Sequence, residues 1–144
     1  MRVVLDTNVI VSGLLRPASV PALVLSLLAT ARVQAVVDAR ILEEYRDVLS
    51  RPRLKIPDQI AREFLNRFAS SAEHIMVDAD VVSGLGRLTL KDPDDRLFME
   101  VAISGGVGAI VTGNVNHFPR SALKPIRVLT PRQLLDELDQ AGET

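Results

Sequence analysis

At 144 residues, 47% hydrophobic and 24% charged, the chain is too apolar for a disordered segment and long enough to bury a core. A net charge of −1 gives no global signal for nucleic acid, so any such contact must rest on a local patch. The absence of cysteine excludes a disulfide framework, a thiolate zinc site and a thiol nucleophile, and 3% aromatic residues are too few for a base-stacking platform.

The chain opens with "RVVL", a short apolar run that reads as a buried strand. "NVIVSGLL" follows as a helix capped by Asn8 or Thr7, and "SVPALVLSLLATA" as a second helix capped by Ser19. The opening run carries Asp6, which argues against a signal peptide, and "VPALVLSLLATA" is too short to span a bilayer. A cytoplasmic protein with no membrane partner is therefore expected. "VQAVVD" is β-branched and reads as a second strand. "ARILEEYRDVLSR" places Ile41, Leu42, Tyr45, Val48 and Leu49 at helical spacing. Pro52 and Pro57 then punctuate a loop.

"DQIAREFLNRFASSA" predicts an amphipathic helix with Ile60, Phe64, Leu65 and Phe68 on one face. "HIMV" is expected to be a third strand and "SGLGRLTL" a loop. "DPDDRLFMEVAISGG" has the form of a helix start, with Asp92 as cap, Pro93 in the first helical position and acids in the first turn. Gly105-Gly106 ends it. "AIVTGN" is a fourth strand and turn, "IRVL" a fifth strand, and "TPRQLLDELDQ" a last helix.

Strands alternating with helices predict an α/β fold: one domain over residues 1–144, a three-layer α/β/α sandwich around a parallel sheet of about five strands. Such sheets bind ligands at the carboxyl ends of their strands, where strand order reverses. Asp6 ends the first strand and Thr112-Gly113-Asn114 ends the fourth, so Asp6 and Asn114 become neighbours if those strands are adjacent. The Asp94/Asp95 pair starts a helix at the same edge, and Glu44 lies close to it, about one and a half turns into the helix after the second strand. Carboxylates gathered there would repel one another and raise each other's pKa. A hard divalent cation removes that conflict, and oxygen donors without thiols suit Mg2+ or Mn2+.

In this order and spacing, "VVLDTNVIVSGLL", "ILEEYRDVLSRPRL", "DPDDRLFMEVAISGG" and "AIVTGNVNHFP" resemble the PIN domain, most closely its toxin components of toxin–antitoxin systems related to VapC. The resemblance covers nearly the whole chain, including "RPRL" and "TPRQLL". It implies a single PIN-like nuclease domain: a Mg2+- or Mn2+-dependent endoribonuclease cutting single-stranded RNA, and a homodimer inhibited by a cognate antitoxin protein. Its acidic cluster falls on Asp6, Glu44 and Asp95 as catalytic and metal-binding residues. Asn114 adds a metal contact, and Asn8, Thr112 and Asp94 stand behind them. Arg51, Arg53, Lys55, Lys91 and Arg96 are the RNA-binding candidates, with Arg87 and Arg120 further along the rim. Many PIN domains carry a fourth acid after the fourth strand. Here Asn114 and Asn116 take its place, which predicts one firmly held ion.

Two other readings stay in view. One is a catalytically weak or inactive PIN-fold module that binds RNA or a protein partner without cleavage. The other is a Mg2+-dependent phosphatase with a nucleophilic aspartate, which wants a second Asp where Asn8 stands. Of the histidines, His117 is expected to be a loop residue bonded to backbone and His74 to have no special role. "SGGVG" follows a helix and precedes a strand, the reverse of a phosphate-binding loop.

Overall fold

The computed structural model describes residues 1–30, 32–90 and 92–142. Its centre is a five-stranded sheet of order β3-β2-β1-β4-β5, with every pairing parallel. The strands are β1 (Arg2–Leu5), β2 (Gln34–Val37), β3 (Glu73–His74), β4 (Ala109–Val111) and β5 (Arg127–Leu129). Val3, Val4, Leu5, Val36, Val37, Ala109, Ile110 and Val111 are all buried, because helices cover both faces of a parallel sheet. The result is the three-layer α/β/α sandwich that the sequence predicts.

The helices are α1 (Thr7–Leu15), α2 (Val20–Leu27), α3 (Ala39–Leu49), α4 (Asp58–Ser71), α5 (Ala79–Leu85), α6 (Arg96–Gly105), α7 (Arg120–Leu123) and α8 (Pro131–Gly142). Short 3-10 turns lie at Pro52–Leu54, Pro93–Asp95 and Val115–His117. No single helix among the described residues is long and apolar enough to cross a membrane.

Several local expectations need correction. The second helix stops at Leu27, short of Ala31, which lies outside the described residues. Ser26 Oγ donates to Leu23 O and Thr30 Oγ1 to Leu27 O, and hydroxyls that bind local carbonyls compete with the helix ladder. The third strand is Glu73–His74, not 74–77. It pairs with β2 until Ile75 N reaches Val37 O, and there β2 ends because Asp38 turns away to cap α3 through Ile41 N at 2.9 Å. Arg2 pins Glu73 through two hydrogen bonds, at 3.0 and 2.6 Å.

The expected loop at 83–90 begins inside α5, which Asp78 caps through Asp80 N. Ile60 is 47% exposed: α4 buries Ala61, Leu65 and Phe68, a stripe one residue further round. The start at Asp92 is as expected, with Asp92 Oδ1 accepting from Asp94 N at 3.0 Å, but the first turn is 3-10 and α6 follows it. At the other end Gly106 caps α6 with φ +59°, and a Cβ there would meet nothing within 4 Å. Gly106→Ala is therefore a pure backbone test. It should lower stability by about 1 kcal/mol in a urea titration, with no change in the m-value.

Candidate active site

β1 and β4 lie side by side, in register from Val3–Ala109 to Leu5–Val111. The next residue on each strand is polar. Asp6 N still reaches Val111 O at 2.9 Å, and Thr112 N reaches Leu129 O at 2.9 Å, so both residues are fixed by the sheet before their side chains act. Asp6 occupies the cap position of α1, yet its carboxylate makes no cap bond. It turns toward β4 instead: Oδ2 accepts from Thr112 Oγ1 at 2.7 Å and from Asn8 Nδ2 at 3.2 Å. Asn8 Oδ1 accepts in turn from Gly113 N at 3.1 Å, and Thr112 Oγ1 from Asn114 N at 2.9 Å. These bonds join the two strand ends into one rigid unit, and neither Asn8 nor Thr7 serves as the expected helix cap.

Beneath this unit Tyr45, fully buried on α3, donates its hydroxyl to Leu5 O. Its ring meets Phe68 edge-on at 5.4 Å and stacks on Phe98 at 6.5 Å. Tyr45→Phe would leave the Leu5 carbonyl without that donor and should cost about 1–2 kcal/mol in chemical denaturation.

Asp95 closes the 3-10 turn ahead of α6 and is buried, 6% exposed like Asp6. Burial, then the charge of Asp6, then that of Asp92 push its pKa up to about 6, while His117 pulls it down. Burial also raises Asp6, against the Thr112 hydrogen bond, the backbone amides of Thr7 and Asn8, and the charge of His117. Glu44 is half-buried and also raised, first by burial and then by the charges of Asp94 and Asp47, with Arg51 opposing them. Glu43, the other acid of that pair, points to solvent and pairs with Arg46 at 2.7 Å.

The charge of Asp6 reaches Asp95, that of the exposed Asp94 reaches Glu44, and that of Asp92 reaches both Asp95 and Glu44. Among the described residues no three Asp, Glu, His or Cys side chains stand close enough to hold one ion.

The amino-acid sequence matches the family model for the PIN domain over residues 2–116. This chain belongs to the PIN domain family. A search of curated protein sequences finds no match. Among solved structures, the chain is similar to VapBC2 from Rickettsia felis, bound to a DNA fragment from the promoter. The TM-score is 0.60 at 20% identity, over 90% of this chain and 98% of the other. It is also similar to VapBC-1 from nontypeable Haemophilus influenzae, with a TM-score of 0.59 at 13% identity, over 92% of this chain and 99% of the other. At these identities the likeness establishes the fold.

The other predicted residues of this PIN domain are placed unevenly. Asn114 is exposed and its backbone, not its side chain, contacts Thr112. Arg51 pairs with Asp47 at 3.3 Å, and Arg53 and Lys55 are exposed on the turn that follows. Lys91 lies outside the described residues. Arg96 does not face solvent as a free cation: its guanidinium donates to Leu85 O at 2.6 Å and Leu88 O at 2.7 Å, tying the end of α5 to α6.

His117 was expected to satisfy backbone. Its ring instead stands with Nδ1 3.3 Å from Asp95 Oδ2. Sequence reasoning could have found it, since a histidine three residues past the turn after β4 falls on the same edge as Asp6. His74 Nε2 lies 2.7 Å from Ala69 O.

The donors at this edge fit a hard divalent cation. They are oxygen atoms of two buried carboxylates, and Mg2+ ordinarily takes one or two protein carboxylates and completes its shell with water and phosphate. Thr7 Oγ1, next to Asp6, is the one buried side-chain polar atom among the described residues without a hydrogen-bond partner. A bound ion or its water is one physical reason for such an exception in an otherwise satisfied interior.

Proposed function

We propose that this PIN domain is a metal-dependent endoribonuclease that hydrolyses phosphodiester bonds of single-stranded RNA, the toxin of a toxin–antitoxin pair. One observation supports the reading: Asp6 at the end of β1 and Asp95 ahead of α6, carboxylates from distant parts of the chain, are both buried, and the charge of Asp6 reaches Asp95. A fold gains no stability from that arrangement, so a ligand is the natural reason for it.

Asp6 and Asp95 would hold Mg2+ or Mn2+, with water and the substrate phosphate completing the ion's shell, while Glu44 would act from the rim and Asn114 would offer an uncharged oxygen. When bound, the ion lowers the pKa of water and neutralises charge on the phosphate. Thr112 and Asn8 fix the Asp6 carboxylate through Oδ2, so it does not reorganise during the reaction. Asp94, exposed beside Glu44, adds negative charge to the rim. Arg51 acts on Glu44 and, with Arg53 and Lys55, offers the phosphate backbone a short basic turn. A flexible single strand reaches a buried acidic pair more readily than a stiff duplex.

The antitoxin partner is supported by the likeness to VapBC complexes and by an apolar groove of about 530 Å3 between α1, α2 and α4, lined by Leu14, Leu25, Leu28, Phe64 and Phe68. A homodimer and a cytoplasmic location complete the proposal.

That no three acids converge among the described residues, together with Asn114 in place of an acid, favours the second reading, a module that binds RNA or protein without cutting. Incubation with fluorescent single-stranded RNA and Mn2+, with and without chelator, separates the two. The nuclease cleaves and stops on chelation. RNA bound but intact supports the module.

A further inference from the structure

We propose that His117 is a positioning residue for Asp95, taking over with a hydrogen bond part of what a fourth acid does elsewhere by charge. The inference rests on the metal-dependent reading of the Asp6–Asp95 pair.

Three observations carry it. The turn after β4 is built to deliver this side chain: His117 N donates to Asn114 O at 2.9 Å, and Asn114 N is fixed on Thr112 Oγ1. The same Thr112 hydroxyl holds Asp6, so the imidazole and both carboxylates hang on one rigid unit. The ring meets Asp95 at Oδ2 alone, and when Asp95 is ionised it can only accept, so the bond then requires the proton on Nδ1. No protein donor meets the other oxygen, Oδ1, among the described residues, which leaves it the lone pairs a ligand needs. A hydrogen bond from behind sets the rotamer of a metal-binding carboxylate and lowers the entropy lost when the ion arrives. The half-buried ring is shielded enough to keep this bond and open enough to accept substitution.

The side-chain nitrogen of Asn sits where Nδ1 of His does, whereas that of Gln sits where Nε2 does. The test is therefore the Mn2+ affinity of the intact protein by isothermal titration, for His117→Ala, His117→Asn and His117→Gln. The positioning role predicts that Ala and Gln weaken Mn2+ binding about tenfold or more while Asn stays within about threefold of the parent. It also predicts that raising Mn2+ restores RNA cleavage to His117→Ala. Should the Ala variant fail to fold, the Asn and Gln pair reads the same contrast.

Parental Mn2+ affinity in both His117→Ala and His117→Gln would overturn the inference, as would rescue by Gln and not by Asn. If the parent binds Mn2+ and Asp6→Asn abolishes that binding, such a result sinks the role of His117 alone. If the parent binds no Mn2+, the nuclease reading falls with it.

Discussion

Asp6→Asn is expected to cut Mn2+-dependent cleavage of single-stranded RNA by about 1,000-fold, equivalent to ~4 kcal/mol of transition-state stabilisation. The substitution is nearly isosteric. An amide oxygen can still accept from Thr112 Oγ1, which holds the carboxylate at 2.7 Å now, so the β1–β4 edge keeps its shape. What disappears is a full negative charge in a buried place, where an ion has few other partners. The comparison is kcat for parent and variant, with melting temperatures recorded to show that both are folded. Cleavage that survives the substitution would mean that Asp6 is not at the reacting centre, or that the activity belongs to a contaminant.

Asp95→Asn is expected to raise the melting temperature of the chelator-treated protein at pH 8 by about 3–6 °C, and to leave it unchanged near pH 4. The sign follows from the pKa. Folding lifts the Asp95 carboxyl from its ordinary 3.8 to about 6, through burial first and the charge of Asp6 second, so the folded protein prefers the neutral form. The stability contributed by that preference is fully present below pH 4 and is lost as pH rises through 6. Asn is neutral throughout, so the parent falls behind it across that window and stays behind above it. Saturating Mn2+ should reverse the order, because the ion stabilises the form with the charge. Thermal melts in EDTA and in Mn2+ from pH 4 to 8 check both halves. A difference that does not change with pH would contradict the electrostatic account of the pair.

Much of the site could be read from residue order because it sits where regular elements end. An apolar run that stops at Asp6 and another that stops at Thr112 mark two strand ends. The parallel topology then makes them neighbours, and the register Leu5–Val111 is the physical form of that inference. Asp95 is separable from Asp94 only by resemblance, because spacing alone does not tell that the first is buried and the second exposed.

Other features depend on contacts that sequence spacing does not carry. α5 and α7 are short and of weak periodicity, so their existence rests on packing, such as Asp78 N on Ser104 Oγ and the buried Leu123. β3 ends where its partner strand ends. Arg96 resembles any surface cation until the carbonyls of Leu85 and Leu88 arrive around it. The edge that His117 shares with Asp6 is legible from its position past β4, but its contact with Asp95 comes only from the turn at Val115–His117.

The claim beneath the whole account is that Asp6 and Asp95 share a hard divalent ion. Anomalous diffraction from crystals soaked in Mn2+ tests it most directly. The account predicts one strong peak in contact with oxygens of both carboxylates, at roughly 2.0–2.2 Å. Ions found only at surface sites, with nothing between Asp6 and Asp95, would contradict it.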